Sequence, residues 1–189
     1  MARFDGQRFG KLKVSTWEVR GIVEKMEELK TELLKRNTDI TIVTETKKKN
    51  KGSEDIGNYV MIYCGEPANK WASSGVAIAI TKDWKHKMQD YTSISDRIIE
   101  TRIKVLNRNF TIVGVYGPVE GKEQDTEEFY RELQQTMDKI HKKVKIILAG
   151  NINGRIGNQP IPECIGTHGE KVTNHNGAAL RDFCAFNKL

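Results

Sequence analysis

The residues best placed to do chemistry in this chain surround Ile146-Ile147-Leu148-Ala149-Gly150-Asn151-Ile152-Asn153-Gly154-Arg155-Ile156-Gly157. An apolar run ends abruptly in Gly and two Asn spaced i, i+2, which predicts a buried strand delivering a polar loop at its C-terminal edge. Open α/β sheets place their chemistry there. While the chain stays extended, Asn151 and Asn153 project to the same side, so both amides can face one ligand. The same Asn-x-Asn-Gly wording is also ordinary turn chemistry. What raises its interest is that Glu18, Glu45 and Tyr116 fall at the ends of other strand-like runs, the arrangement needed to gather distant residues around one substrate.

The elements that must position these residues follow from periodicity. Leu12–Trp17 alternates in strand fashion and delivers Glu18, whereas Asp39–Thr44 is β-branched almost throughout and delivers Glu45. Between them, Val23, Met26, Leu29, Leu33 and Leu34 sit at helical spacing, with acids early and Lys35 and Arg36 late, as the helix dipole favours. Lys47–Lys51 reads as a basic, mobile loop. Strands are expected at 58–63 and 75–80, then at 97–105 and 109–116 as a hairpin through Leu106-Asn-Arg108. A second amphipathic helix spans Thr126 to Ile140, and a third opens at Asn174-His-Asn-Gly, where Asn174 and Asn176 read as capping chemistry. Four strand-like runs between Asn58 and Tyr116 without an intervening helix argue against a doubly wound parallel sheet. They favour an α/β fold, a four-layer α/β sandwich of two packed mixed β-sheets flanked by helices.

Composition bounds the rest. A chain of 189 residues with 38% hydrophobic content can bury the core of one domain, here 11–189 after a polar leader at 1–10. The 31 Lys and Arg exceed 25 Asp and Glu to give a formal charge of +6, which favours polyanionic partners. Cys64, Cys164 and Cys184 are odd in number, distant in sequence and lack metal-type spacing, so they read as reduced thiols of an intracellular protein. No apolar run reaches 18 residues, which excludes a membrane-spanning helix. Further basic clusters, Lys82-Lys85-Lys87 and Lys142-Lys143-Lys145, can track a nucleic-acid backbone or serve as solvated faces.

Taken together, Ser-Thr-Trp17-Glu18-Val-Arg, Val-Thr-Glu45-Thr, Ser74-Gly-Val-Ala-Ile, Asp96-Arg97-Ile-Ile-Glu, Val-Tyr116-Gly-Pro, the Asn151–Gly157 loop and Asn176-Gly-x-x-Leu180-x-x-Phe183-Cys184 carry a resemblance. From about Lys11 to Leu189 the chain resembles the endonuclease/exonuclease/phosphatase superfamily, and within it the apurinic/apyrimidinic-type endonuclease domain of non-LTR retrotransposons, including their craniofacial development protein 2-like relatives. That resemblance implies metal-dependent nicking of DNA by a nuclear protein. Glu45 would be the ligand of Mg²⁺ or Mn²⁺, with Glu18 beside it. Tyr116 would hydrogen-bond a phosphate oxygen, and Asn153 would hold the phosphate or the attacking water in line. Arg97, Arg155, Lys47 and Lys48 are the candidates for holding the substrate backbone.

Three departures bear on activity. Relatives of this type carry Asn where this chain has Glu18, and the added negative charge would repel the substrate or add a metal ligand. They carry Asp where this chain has Asn151, and an amide cannot take a proton at any relevant pH; losing such a base commonly costs about 10²–10⁴ in rate. The C-terminal Ser-Asp-His motif, with its catalytic His, has no counterpart before Leu189, so the fold is expected to be incomplete at its C-terminus with an uncovered sheet edge. The expectation is a nuclease domain that is inactive or severely impaired. Its rivals are a non-catalytic nucleic-acid-binding module and a phosphatase or phospholipase branch of the same superfamily.

Overall fold

The computed structural model describes residues 2–6, 9–105 and 107–189, with side chains from Leu12 onward. The chain divides into two compact units, one comprising Met1–Tyr116 with Ile140–Gly150 and the other Gly117–Lys139 with Asn151–Leu189.

Both sheets belong to the first unit. The larger one follows the order β1(Ala2–Gly6), β2(Phe9–Glu18), β3(Ile40–Thr44), β6(Val76–Thr81), β5(Tyr59–Cys64), β4(Lys51–Ile56). It is mixed: β2 and β3 run parallel, as the helix between them requires, whereas β3–β6, β6–β5 and β5–β4 are antiparallel. The smaller sheet has the order β10(Lys145–Asn151), β9(Arg108–Tyr116), β8(Ile98–Val105), β7(Met88–Ser93). Antiparallel pairing of β8 with β9 places Val105 opposite Arg108, so the expected hairpin forms; Leu106 in its turn lies outside the described residues.

The sheets pack face to face through side chains of alternate residues. Ile40, Ile42, Ile62, Ile78 and Ile80 from the larger sheet meet Ile99, Ile103 and Ile112 from the smaller one, all at most 1% exposed. The opposite face of the larger sheet is closed by α1(Met26–Arg36), whose buried Leu29 and Leu33 rest on Val43, Met61, Ala77 and Ala79. The helix stops at Asn37, whose left-handed backbone (φ 48°) returns its N–H to the carbonyls of Leu33 and Leu34. The buried Tyr59 hydroxyl then donates to the carbonyls of Leu33 and Thr38 at 3.0 and 2.7 Å, tying the helix end to β5. The short α2(Lys82–Lys85) follows β6, capped by the Thr81 hydroxyl.

The second unit holds α3(Glu123–Asp138) and α4(His175–Asn187). Phe129 and Tyr130 of α3 and Phe183 of α4 form an aromatic cluster with ring centroids 5.1 and 5.6 Å apart. Asn174 caps α4 as expected, its side chain accepting from the Gly177 N–H at 2.9 Å.

The α/β fold of two packed mixed sheets with helices is therefore as the periodicity predicts. Several local expectations change. The helix expected from Val23 begins at Met26, and both Val23 and Leu34 are exposed. Of the loop expected at Lys47–Lys51, Lys47–Asn50 stay outside the named strands, with Lys49 bridged to Glu66, and only Lys51 enters β4, which six register pairs hold to β5. β7 forms from Met-Gln-Asp-Tyr-Thr-Ser, held by pairing to β8 rather than by burial. β1 lies inside the segment expected as a polar leader. Finally, Ile146, Ile147 and Leu148 are only half-buried, because β10 is an edge strand among the described residues.

Candidate active site

The first cluster is built by the parallel pair β2 and β3. Glu18 closes β2 opposite Thr44 of β3, so Glu18 and Glu45 leave the sheet side by side. The chain beyond keeps the same pairing, with N–H to carbonyl bonds from Val19 to Thr44, Gly21 to Glu45 and Ile22 to Thr46 at 3.1, 2.8 and 3.1 Å. Each carboxylate meets a cation. Arg20 Nε donates to Glu18 Oε1 at 2.9 Å, and Lys47 Nζ lies 3.2 Å from Glu45 Oε1. The Arg20 guanidinium is held further in its charged form by its hydrogen bond to Glu18, by that residue's charge and by the charge of Glu45, so Arg20 feels both carboxylates. Glu18 and Arg20 also line a cleft of about 210 Å³ with Trp17, Lys25 and Glu28.

The backbone here is held in an unusual conformation. Arg20, Glu45, Lys47 and Asn50 all have φ between 51° and 60°, the left-handed region that side chains disfavour. Each such residue costs on the order of 1–3 kcal/mol, and the strain persists only where surrounding structure enforces it. Here the strand pairing enforces it, and the result is that Glu45 and Lys47 point back toward one another.

A second cluster in the same unit links β8 and β9. Arg97, just before β8, is bonded to Tyr116, the last residue of β9, in both directions: the Tyr116 N–H donates to the Arg97 carbonyl at 2.9 Å, and Arg97 Nη1 donates to the Tyr116 carbonyl at 3.3 Å. The guanidinium also sits 5.4 Å from the Tyr116 ring centroid. Behind it, the Ser74 hydroxyl, itself fully buried, donates to Asp96 Oδ2 at 2.5 Å and lies 3.4 Å from Glu66 Oε1. Burial pushes the nearby Cys64 thiol up to about 12, with the charge of Asp96 adding to the effect.

In the second unit, Asn151 and Asn153 do meet as their spacing predicts. Asn151 Oδ1 accepts from the Asn153 N–H at 2.8 Å, and its Nδ2 donates to Asn153 Oδ1 at 3.3 Å. Asn153, left-handed at φ 54°, passes its own Nδ2–H to the Gly117 carbonyl at 2.9 Å. Gly117 must be glycine, since a Cβ there would press on the Ile152 backbone at 2.6 Å. The Arg155 N–H donates to Asn174 Oδ1 at 2.8 Å, while its guanidinium pairs with Glu170 at 3.6 Å.

Sequence reading missed the residue that organises this unit. Asn176, 1% exposed, donates Nδ2 to the carbonyls of Pro118 and Asn153 at 2.9 and 3.3 Å and accepts from Thr126 Oγ1 at 3.1 Å. Glu120 in turn accepts from the N–H groups of His175 and Asn176 at 3.0 and 3.2 Å, giving the α4 N-terminus its carboxylate. Arg20 was missed as well, since nothing in the chain marks it as the partner of Glu18. Of the expected substrate holders, Lys48 is 14% exposed, lies 4.4 Å from the Tyr63 ring centroid and pairs with Glu54. Among the described residues, no three His, Cys, Asp or Glu side chains group as metal ligands, and no helix is long and apolar enough to cross a membrane. The three cysteines are free, and burial with Cys164 alongside pushes the Cys184 thiol up to about 11.

Two mixed sheets packed face to face, with acidic, basic and amide side chains at their strand ends, define the fold of the endonuclease/exonuclease/phosphatase proteins. The catalytic domain of Xenopus laevis APE2 superimposes with a TM-score of 0.65 at 17% identity, covering 92% of this chain and 66% of that one. The endonuclease domain of TRAS1, a telomere-specific non-LTR retrotransposon, gives 0.60 at 16% identity over 93% of this chain and 71% of that one. In sequence, the chain is 28% identical over 178 residues to Craniofacial development protein 2 of Bos taurus, a match that covers 93% of this chain. The chain spans 30% of the length of that relative. No protein-family model matches the chain.

Proposed function

We propose that this chain is a retrotransposon-type endonuclease domain, a phosphodiester-hydrolysing fold that engages the DNA backbone and whose cleavage is severely impaired. The observation that carries this reading is the pair of carboxylates, Glu18 and Glu45, leaving adjacent parallel strands within the field of one arginine. Two carboxylates suit a hard divalent cation, because Mg²⁺ takes few protein oxygens and fills its other positions with water and phosphate. When bound, such an ion would polarise the phosphoryl oxygens. To receive it, Glu18 and Glu45 must leave Arg20 and Lys47, which are then freed to meet phosphate charge. Arg97, anchored by its bonds to the Tyr116 backbone, is a preorganised cation for the substrate. Asn153 would orient a phosphate or a water, but Asn151 beside it is a hydrogen-bond donor and cannot serve as the base.

A second reading, a non-catalytic nucleic-acid-binding module, is favoured by the fact that both carboxylates are already neutralised by their own cations. Nicking of supercoiled plasmid separates the two. Activity with Mg²⁺ or Mn²⁺ that disappears in EDTA and in Glu45→Ala supports the endonuclease reading. A folded protein that binds DNA without nicking supports the second. In either case the proposed site of action is the nucleus.

A further inference from the structure

The end of β9 remote from Tyr116 forms a cleft of its own. Its volume is about 580 Å³, with Asn107, Arg108 and Asn109 on one side and His141, Lys143 and Lys145 on the other. Such a volume falls within the roughly 300–1,000 Å³ typical of ligand sites. Arg108 and Tyr116 are eight steps apart along the extended β9, so at roughly 3.4 Å per residue the cleft lies about 27 Å from the Tyr116 end of the strand. It shares no residue with the strand-end clusters.

The lining has one chemical character. It contains three cations, a histidine, two amides and Val144, with no carboxylate and no Phe, Tyr or Trp ring among the described residues. Lys143 and Lys145 are exposed and have no carboxylate partner among the described residues. The turn that presents them is fixed, since the Val144 N–H donates to the His141 carbonyl at 2.8 Å and the Lys143 N–H to His141 Nδ1 at 3.2 Å. With Nδ1 accepting, the hydrogen-bonding capacity His141 has left is the Nε2–H donor. The cleft therefore offers donors and positive charge almost exclusively, which suits an acceptor-only anion carrying several phosphates. A free nucleotide brings its few phosphates to one place, whereas a polymer accumulates phosphate contacts at successive cations.

We propose that this cleft is a second nucleic-acid site, which grips the phosphodiester backbone without reading sequence. It goes beyond the strand-end function, because it requires neither metal nor cleavage. The test is fluorescence anisotropy of the full chain with labelled single-stranded and duplex oligonucleotides in EDTA, across a salt series. The variants are Lys143→Glu/Lys145→Glu and its Lys→Arg counterpart, each checked for folding by circular dichroism. The double charge reversal is expected to weaken binding at least tenfold and to reduce the salt slope by about 2, since each phosphate contact contributes about 0.9. The Arg pair should retain both, and the arm with the greater loss identifies the preferred strand form. Unchanged affinity and slope in the double reversal would overturn the proposal, as would displacement of the oligonucleotides by low concentrations of inorganic phosphate. Failure of nicking leaves this test intact, so the two readings fall separately.

Discussion

The two ends of β9 treat charge in opposite ways. At the Tyr116 end, charges are matched within the fold: Glu18 with Arg20, Glu45 with Lys47, and Asp96 with Ser74 and Arg97. At the Arg108 end, Lys143 and Lys145 stand without a carboxylate partner among the described residues. The first arrangement stores binding capacity behind pairs that must open before anything binds, which favours selectivity. The second is ready at once and responds to any polyanion, at the cost of sensitivity to salt.

The largest effect is expected where the strand-end chemistry lacks a base. Asn151→Asp supplies a proton acceptor but removes the Nδ2–H donated to Asn153, so the Asn153 amide must turn its own Nδ2 toward residue 151. Plasmid nicking with Mg²⁺ should rise by about 10²-fold or more. No rise in a folded variant would place the defect elsewhere, and the contrast between the two ends would then be one of binding alone.

Next in size is Ser74→Ala. It removes a hydroxyl donor from a partly buried carboxylate, so urea unfolding should show a loss of about 1.5–3 kcal/mol. Asn109→Ala at the other end removes an exposed side chain and should stay within about 0.5 kcal/mol. Equal losses would mean that the two ends do not differ in how tightly their polar groups are held.

A smaller effect is expected from Arg20→Ala. Exposed ion pairs are weak, so freeing Glu18 should tighten Mn²⁺ binding by only about two- to fivefold in calorimetry. Weaker binding would show that Arg20 positions the carboxylate rather than competing for it. The smallest is a matter of rate. Because burial raises the Cys64 thiol to about 12, its thiolate is scarce at neutral pH, and Ellman's reagent should modify it only as the fold opens. Its reactivity in the folded protein should grow as pH climbs toward 12; prompt reaction at pH 7 would show that the core beside Ser74 is open.

Much of this architecture was legible in the chain because its strands alternate or are β-branched: β3, β5, β6, β8 and β9 reach deep burial wherever the pattern says they should. What escaped lacks that signal. β4 reads Lys-Gly-Ser-Glu-Asp-Ile, and β7 exposes four of its six residues, so both are strands by virtue of backbone pairing to a neighbour. At the site, Glu18, Glu45, Asn151 and Asn153 could be found because they follow apolar runs. Asn176 and Glu120 could not, since their partners lie 50 or more residues away for Thr126, Pro118 and His175. A hydrogen bond of that span leaves no local trace, and Asn174-x-Asn176 accordingly reads as two caps, when one residue is a cap and the other a hub.

The position of β10 at the margin of its sheet bears on how this protein behaves in concentrated solution. Ile146, Ile147 and Leu148 are half-buried, and an open strand with an uncharged apolar stretch is the kind of template on which other chains add. Lys142 and Lys143 stand just before it and Lys145 opens it, where like charges repel an approaching copy. They are gatekeepers as well as candidate phosphate ligands, and a polyanion that neutralises them would also lift the barrier that keeps neighbouring molecules apart.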